Sequence, residues 1–98
     1  MDTWEFEAEL WPWKDETDAR IFVTALPVVT EEIREASIAT GPPRGFGSVR
    51  VEARIGTTTW RTSVFPGRHG YALPLKQDVR RRETLAVGDR ALVTISLV

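Results

Sequence analysis

The order strand, Leu-Pro, helix, Gly-containing turn, strand occurs twice in this chain of 98 residues. The first copy is "TALPVVTEEIREASIAT…GFGSVRVEARI" and the second is "YALPLKQDVRRRETLAVGDRALVTISL". Ala25-Leu26-Pro27 aligns with Ala72-Leu73-Pro74, and Ile33-Arg34 aligns with Val79-Arg80 after one insertion. Gly47-Ser48 precedes the last strand of the first copy as Gly88-Asp89 precedes that of the second. Each copy is preceded by a strand, Trp4 to Trp11 in one case and Thr58 to Phe65 in the other, so the pattern reads β-β-α-β twice. Proline offers no N–H to a ladder and its fixed φ suits a turn into a helix. Two such units can bury their apolar sheet faces against each other, and closure removes exposed edges. The expected fold is therefore mainly β: a small closed six-stranded barrel with two short helices and a pseudo-twofold repeat.

Period-two alternation supports the strands. Trp4, Phe6, Ala8 and Leu10 alternate with Glu5, Glu7 and Glu9, and Val49, Val51, Ala53 and Ile55 alternate with Arg50, Glu52 and Arg54. Thr58, Trp60, Thr62 and Val64 share one side of a further strand. The run Arg20 to Leu26 is β-branched and aromatic, and is expected to form a hairpin with the first strand across the charged turn after Pro12. Gly56-Thr57 is a tight-turn signal, although β-branched Thr57 suits positive φ poorly. Thr30 looks like an N-cap for a helix from about 31 to 39, with Glu31 and Glu32 in its first turn. A second helix is expected from Leu75 to near Thr84.

Length bounds the chain to one domain, residues 1–98. With no Cys there are no disulfides or thiolate metal sites, and a single His argues against structural zinc; no metal or cofactor is expected. The acidic alternating start is unlike a signal peptide, and no run approaches the ~20 apolar residues of a membrane helix, so a cytoplasmic protein without membrane contact is expected. Charge is uneven: residues 1–49 hold 4 Lys/Arg and 10 Asp/Glu, and residues 50–98 hold 9 and 4. Solvated faces account for this, or else a basic surface that attracts an anion or an acidic partner.

The stretches "FEAELW", "FVTALP", "GSVRVEARIGTTTWRTSVFP" and "GYALPLKQDVRRRETLAVGDRALVTISL" together resemble the DUF1905 family of small bacterial domains. The resemblance covers essentially the whole chain. It is most specific at Gly70-Tyr71, Leu73-Pro74, Lys76, Arg80 and Gly88-Asp89. It implies a compact β-barrel with two short helices and no assigned activity. The family's loop before Tyr71 is richer in Gly; here it reads "FPGRHGY", so Arg68, in place of a backbone-only cradle, would supply charge for an anion.

No catalytic motif such as G-x-S-x-G, H-E-x-x-H or a Walker A loop is present, and no catalytic residue is assigned. His69, the single His, reads as an exposed loop residue unless it meets a ligand. Lys76 and Arg80 lie four apart and share a helix face; they solvate that face or, with Arg61 and Arg68, surround one anion through paired donors. Asp89 shapes a turn or pairs with Arg80. Trp60 belongs to the core or lines a pocket, and Trp11 and Trp13 are candidates for a contact rim. The expected ligand-binding set is Trp60, Arg61, Arg68, His69, Tyr71, Lys76 and Arg80.

These features favour a non-enzymatic binding module for a small anionic ligand or an acidic protein segment. A dimeric DNA-binding regulator and a small enzyme are the alternatives. The phosphate backbone would repel the acidic first half, which disfavours nucleic acid. A monomer and a homodimer, the latter paired through the opposite charge of the halves, both remain open.

Overall fold

A computed structural model describes residues 3–13, 20–39 and 47–98. In chain order these form β1 (Thr3–Glu9), β2 (Trp11–Pro12), β3 (Ile21–Thr24), α1 (Pro27–Ala39), β4 (Val49–Ile55), β5 (Thr58–Gly67), β6 (Gly70–Pro74), α2 (Gln77–Arg82) and β7 (Arg90–Leu97). The strands make one antiparallel sheet in the order β1-β7-β4-β5-β6-β3-β2.

The sheet is mainly β architecture as expected, but it is a curled, open half-barrel of seven strands, not a closed barrel of six. Leu10 accounts for the seventh strand. The alternation from Trp4 to Trp11 reads as one strand, yet Leu10 takes both its backbone bonds from the turn before β7: its N–H donates to Asp89 O at 2.9 Å and its carbonyl accepts from Gly88 N–H at 3.0 Å. The strand therefore divides. β1 pairs along its whole length with β7, from Thr3↔Ser96 to Glu9↔Arg90, and β2 pairs with β3 at the other end of the sheet. The expected hairpin between the first two strands survives only as Trp11↔Phe22 and Pro12↔Ile21. The charged turn read between them falls at 14–19, outside the described residues.

The alternation assigns the inner face correctly. Phe6, Ala8, Leu10, Val49, Val51, Ala53, Ile55, Val64, Val93 and Ile95 are buried together with Val23, Leu73 and Ile33. Burying a Leu or Ile side chain of this kind contributes about 1.5–3 kcal/mol before entropy is counted. β4 and β5 meet through Gly56-Thr57, and only Gly56 takes positive φ (59°), so Thr57 is not strained.

The two helices depart from expectation at their ends. α1 begins at Pro27, where a missing N–H costs nothing, so Thr30 lies inside the helix and is not its cap. Thr30 is buried; its hydroxyl donates to Ala25 O (3.3 Å) and accepts from Tyr71 N–H (3.1 Å). α2 is shorter than expected and stops at Arg82. Thr84 has φ 54°, and the bonds Leu85 N–H to Arg80 O (2.8 Å) and Thr84 N–H to Arg81 O (3.3 Å) form a Schellman closure with Thr in the place Gly usually takes.

The two Leu-Pro steps do not occupy matching places. Leu26 is 45% exposed, next to the first residue of α1, whereas Leu73 is fully buried inside β6. Pro74 is tolerated in β6 because the β5 ladder has already ended, at Phe65↔Ala72.

Candidate functional site

The strands that bury Ile21, Val23, Tyr71, Leu73 and Val64 inward must turn the intervening residues outward. On β3 these are Phe22 and Thr24, on β6 Ala72 and Pro74, and on β5 Phe65. The outer face of β2, β3, β6 and β5 thereby acquires rings where a solvated sheet would carry polar groups. With Trp11, Trp13, Arg20, Pro66, Gly67, Arg68, His69 and Gly70 they line an open cleft of about 1080 Å³.

Trp11 and Phe22 form one wall, stacked with centroids 5.1 Å apart and planes at 27°. The Trp11 indole N–H donates to Thr24 Oγ1 at 2.8 Å, which holds the ring in place. Phe65, 44% exposed, stands across from them. Ala72 lies between, paired with Thr24 on one side and Phe65 on the other, and its methyl makes a low floor. Trp13 is 58% exposed, and its backbone N–H donates to Arg20 O (2.9 Å), which places Arg20 beside it.

Arg68 and His69 occupy the tip of the β5–β6 hairpin, closed by the pair Gly67↔Gly70. This turn also borders a smaller recess of about 210 Å³ against α1, where Arg34 is already ion-paired with Glu31 at 2.6 Å. In the larger cleft, Arg20 and Arg68 make no ion pair among the described residues, and no acid is among the described lining.

The residues singled out from sequence fall in several places. Arg68 and His69 line the cleft, and Trp11 and Trp13 form its rim. Tyr71 is buried in the core and reaches only the smaller recess. Arg61 is exposed on β5, 3.9 Å from Glu52. Lys76 is exposed at the start of α2, and Arg80 Nε donates to Leu75 O at 3.1 Å. None of these last three borders the cleft. Trp60 faces inward beside Ala53 and packs against the core, its indole nitrogen buried with no hydrogen-bond partner among the described residues. Asp89 shapes its turn, accepting from Ala86 N–H at 2.8 Å.

Phe22, Phe65, Arg20, Pro66 and Pro74 were not singled out. The signal for the two rings was present: each is apolar and out of phase with its strand's core positions, so each had to leave the core. That they share one surface depends on strands β3, β6 and β5 being adjacent.

Among the described residues no group of three or more His, Asp or Glu is placed to hold a metal ion, and no helix is long and apolar enough to cross a membrane. No curated protein matches the chain. The description "Domain of unknown function (DUF1905)" matches residues 6–95, nearly the whole sheet and both helices, and the chain belongs to that family.

Proposed function

We propose that this protein is a non-enzymatic binding module whose outer cleft holds a ligand joining an apolar body to a negative charge. The observation that carries the proposal is the pairing of the ring-lined floor and walls with Arg20 and Arg68, two arginines without ion-pair partners among the described residues. Ligand sites combine apolar walls with few polar groups, and Arg suits carboxylate or phosphate. Recognition, not catalysis, fits the polar lining. The Thr24 hydroxyl accepts from the Trp11 indole, and His69 sits at a turn tip with no described acid in the lining to orient it. The cysteine-free composition suits a reducing compartment, and the cytoplasm is the location proposed with this reading. No observation favours DNA binding or an enzyme.

Duplication of one β-β-α-β unit accounts for the site's position. Three hydrogen bonds whose donors lie in the first half recur with their donors shifted by 50 positions (25 to 75, 30 to 80). They are Ala25 N–H to Tyr71 O with Leu75 N–H to Ile21 O, Thr30 N–H to Leu26 O with Arg80 N–H to Lys76 O, and the Thr30 hydroxyl to Ala25 O with Arg80 Nε to Leu75 O. Exchanging β3 with β6, β4 with β7, and β1–β2 with β5 returns the same pairings. On this reading Leu26-Pro27 corresponds to Lys76-Gln77, not to Leu73-Pro74. The cleft lies across the dyad, with Phe22 matched by Ala72, and that ring-for-methyl difference opens it on one side.

A thermal-shift screen at low salt with phosphates, nucleotides, carboxylates and acidic peptides tests the binding reading. A rise in melting temperature with at least one anion is expected. No rise with any of them overturns it.

A further inference from the structure

We propose that the cleft selects a flat aromatic ring carrying a carboxylate or phosphate, with the ring between Trp11–Phe22 and Phe65 and the anion at Arg20 and Arg68. This inference rests on the binding reading above and adds the ligand's shape. β3 and β5 are separated by β6 alone, and the register sets Thr24, Ala72 and Phe65 in one row, so Phe65 and Thr24, the residue that anchors the Trp11 indole, stand about 10 Å apart, two strand spacings. Stacked rings need roughly 3.5–4 Å on each face, so one planar ring fills such a gap over the Ala72 methyl. A saturated ring is thicker and loses the face-to-face contact.

The donor count points the same way. Aromatic-lined grooves also take extended Pro-rich peptides, whose backbone polar groups are uncharged. Here the Trp11 N–H is already given to Thr24 Oγ1, so that residue presents a face and not a donor. Phe22 and Phe65 likewise present faces. The charged groups among the described lining residues are cationic, Arg20 and Arg68, with His69 beside them. Rings for stacking and arginines for an oxyanion are complementary to one kind of small molecule, an aryl carboxylate or a nucleoside monophosphate. Both present that chemistry.

Calorimetric titration of the full chain, with proton–nitrogen NMR to locate the shifts, tests this with four probes. They are 2-naphthoate, AMP, cyclohexanecarboxylate as an anion without a flat face, and 2-naphthamide as a flat ring without charge. Binding of 2-naphthoate or AMP at least tenfold tighter than both controls is expected, with the Trp11 indole signal shifting. Whichever of the two binds identifies the source of the anion. The double variant R20A/R68A should lose at least tenfold in aryl-anion affinity. Ala72→Leu, which raises the floor on an outward face, should abolish binding while far-UV circular dichroism is unchanged; if that variant is unfolded, Phe65→Ala replaces it. Equal affinity for cyclohexanecarboxylate overturns the ring requirement and leaves the binding reading standing. Equal affinity for 2-naphthamide overturns the charge requirement. Failure of all four probes together with a silent anion screen overturns both.

Discussion

Thr30 and Tyr71 are 41 positions apart in the chain and joined by one buried hydrogen bond, from the Tyr71 backbone N–H to the Thr30 hydroxyl at 3.1 Å. The same hydroxyl donates to Ala25 O, so one side chain ties α1 to the end of β3 and the start of β6. Val has the same shape and neither function. Thr30→Val should destabilise the protein by about 1–3 kcal/mol, because it leaves buried polar groups unmatched. Thr30→Ser should lose less. Urea denaturation of the two variants distinguishes hydrogen bonding from packing.

Gly70 sits against the same junction. Its φ is 141°, and a Cβ there would lie 2.6 Å from Ala25 O and 2.7 Å from Thr30 Oγ1. One neighbour is backbone and cannot swing aside. Gly70→Ala should therefore cost more than about 2 kcal/mol, through strain and overpacking together. A melting temperature within a degree of wild type would show that the junction is looser than these distances require.

Thr84 offers the reverse case. It holds a left-handed φ of 54° to close α2, a conformation costing an ordinary residue roughly 1–2 kcal/mol. Gly removes that strain and adds some freedom to the unfolded chain. Thr84→Gly should stabilise by about 0.5–1 kcal/mol net, read as a rise of several degrees in scanning calorimetry.

The end of α2 is also tied to the β4–β5 turn. Glu83 Oε2 accepts from the buried Thr58 hydroxyl at 2.6 Å and from Thr57 at 3.4 Å, and the absence of a side chain at Gly56 leaves space for the carboxylate. A double-mutant cycle with Thr58→Val and Glu83→Gln should give a coupling of about 1–2 kcal/mol, as expected for a hydrogen bond to a charged acceptor. Additive losses would mean that the two groups act separately.

Most strand pairs join the first part of the chain (β1 to β4) to the second (β5 to β7): β1 with β7, β7 with β4, β4 with β5, and β6 with β3. Neither half retains enough partners to bury its apolar face. Fragments 1–56 and 57–98, cut at the β4–β5 turn, should each be unfolded alone and regain the sheet signal in circular dichroism when mixed in equal amounts. The Arg90 to Glu7 contact at 3.0 Å shows opposite charges of the two halves meeting within one chain.

Alternation along β1, β4, β5 and β7 was legible because a strand exposes every second residue to the same environment, whatever its neighbours are. Val51, Ala53, Val93 and Ile95 could be assigned inward on that ground alone. The order of elements was legible from Pro, Gly and charge punctuation for the same local reason. Leu10 was not: its apolar side chain obeys the alternation, and its break lies in backbone bonds to Gly88 and Asp89, at the far end of the chain. The role of Thr30 was hidden likewise, because Ser or Thr before two acids satisfies the cap pattern, and only the nearness of Tyr71 gives its hydroxyl a buried partner. Local chemistry along the chain thus determined which residues face inward and where elements start. Which strands are neighbours, and hence that Trp11, Phe22 and Phe65 share a cleft with Arg20 and Arg68 while Arg61, Lys76 and Arg80 stay outside it, was decided only by the tertiary fold. Pairing partners are chosen by contacts between distant segments, and no local pattern records them.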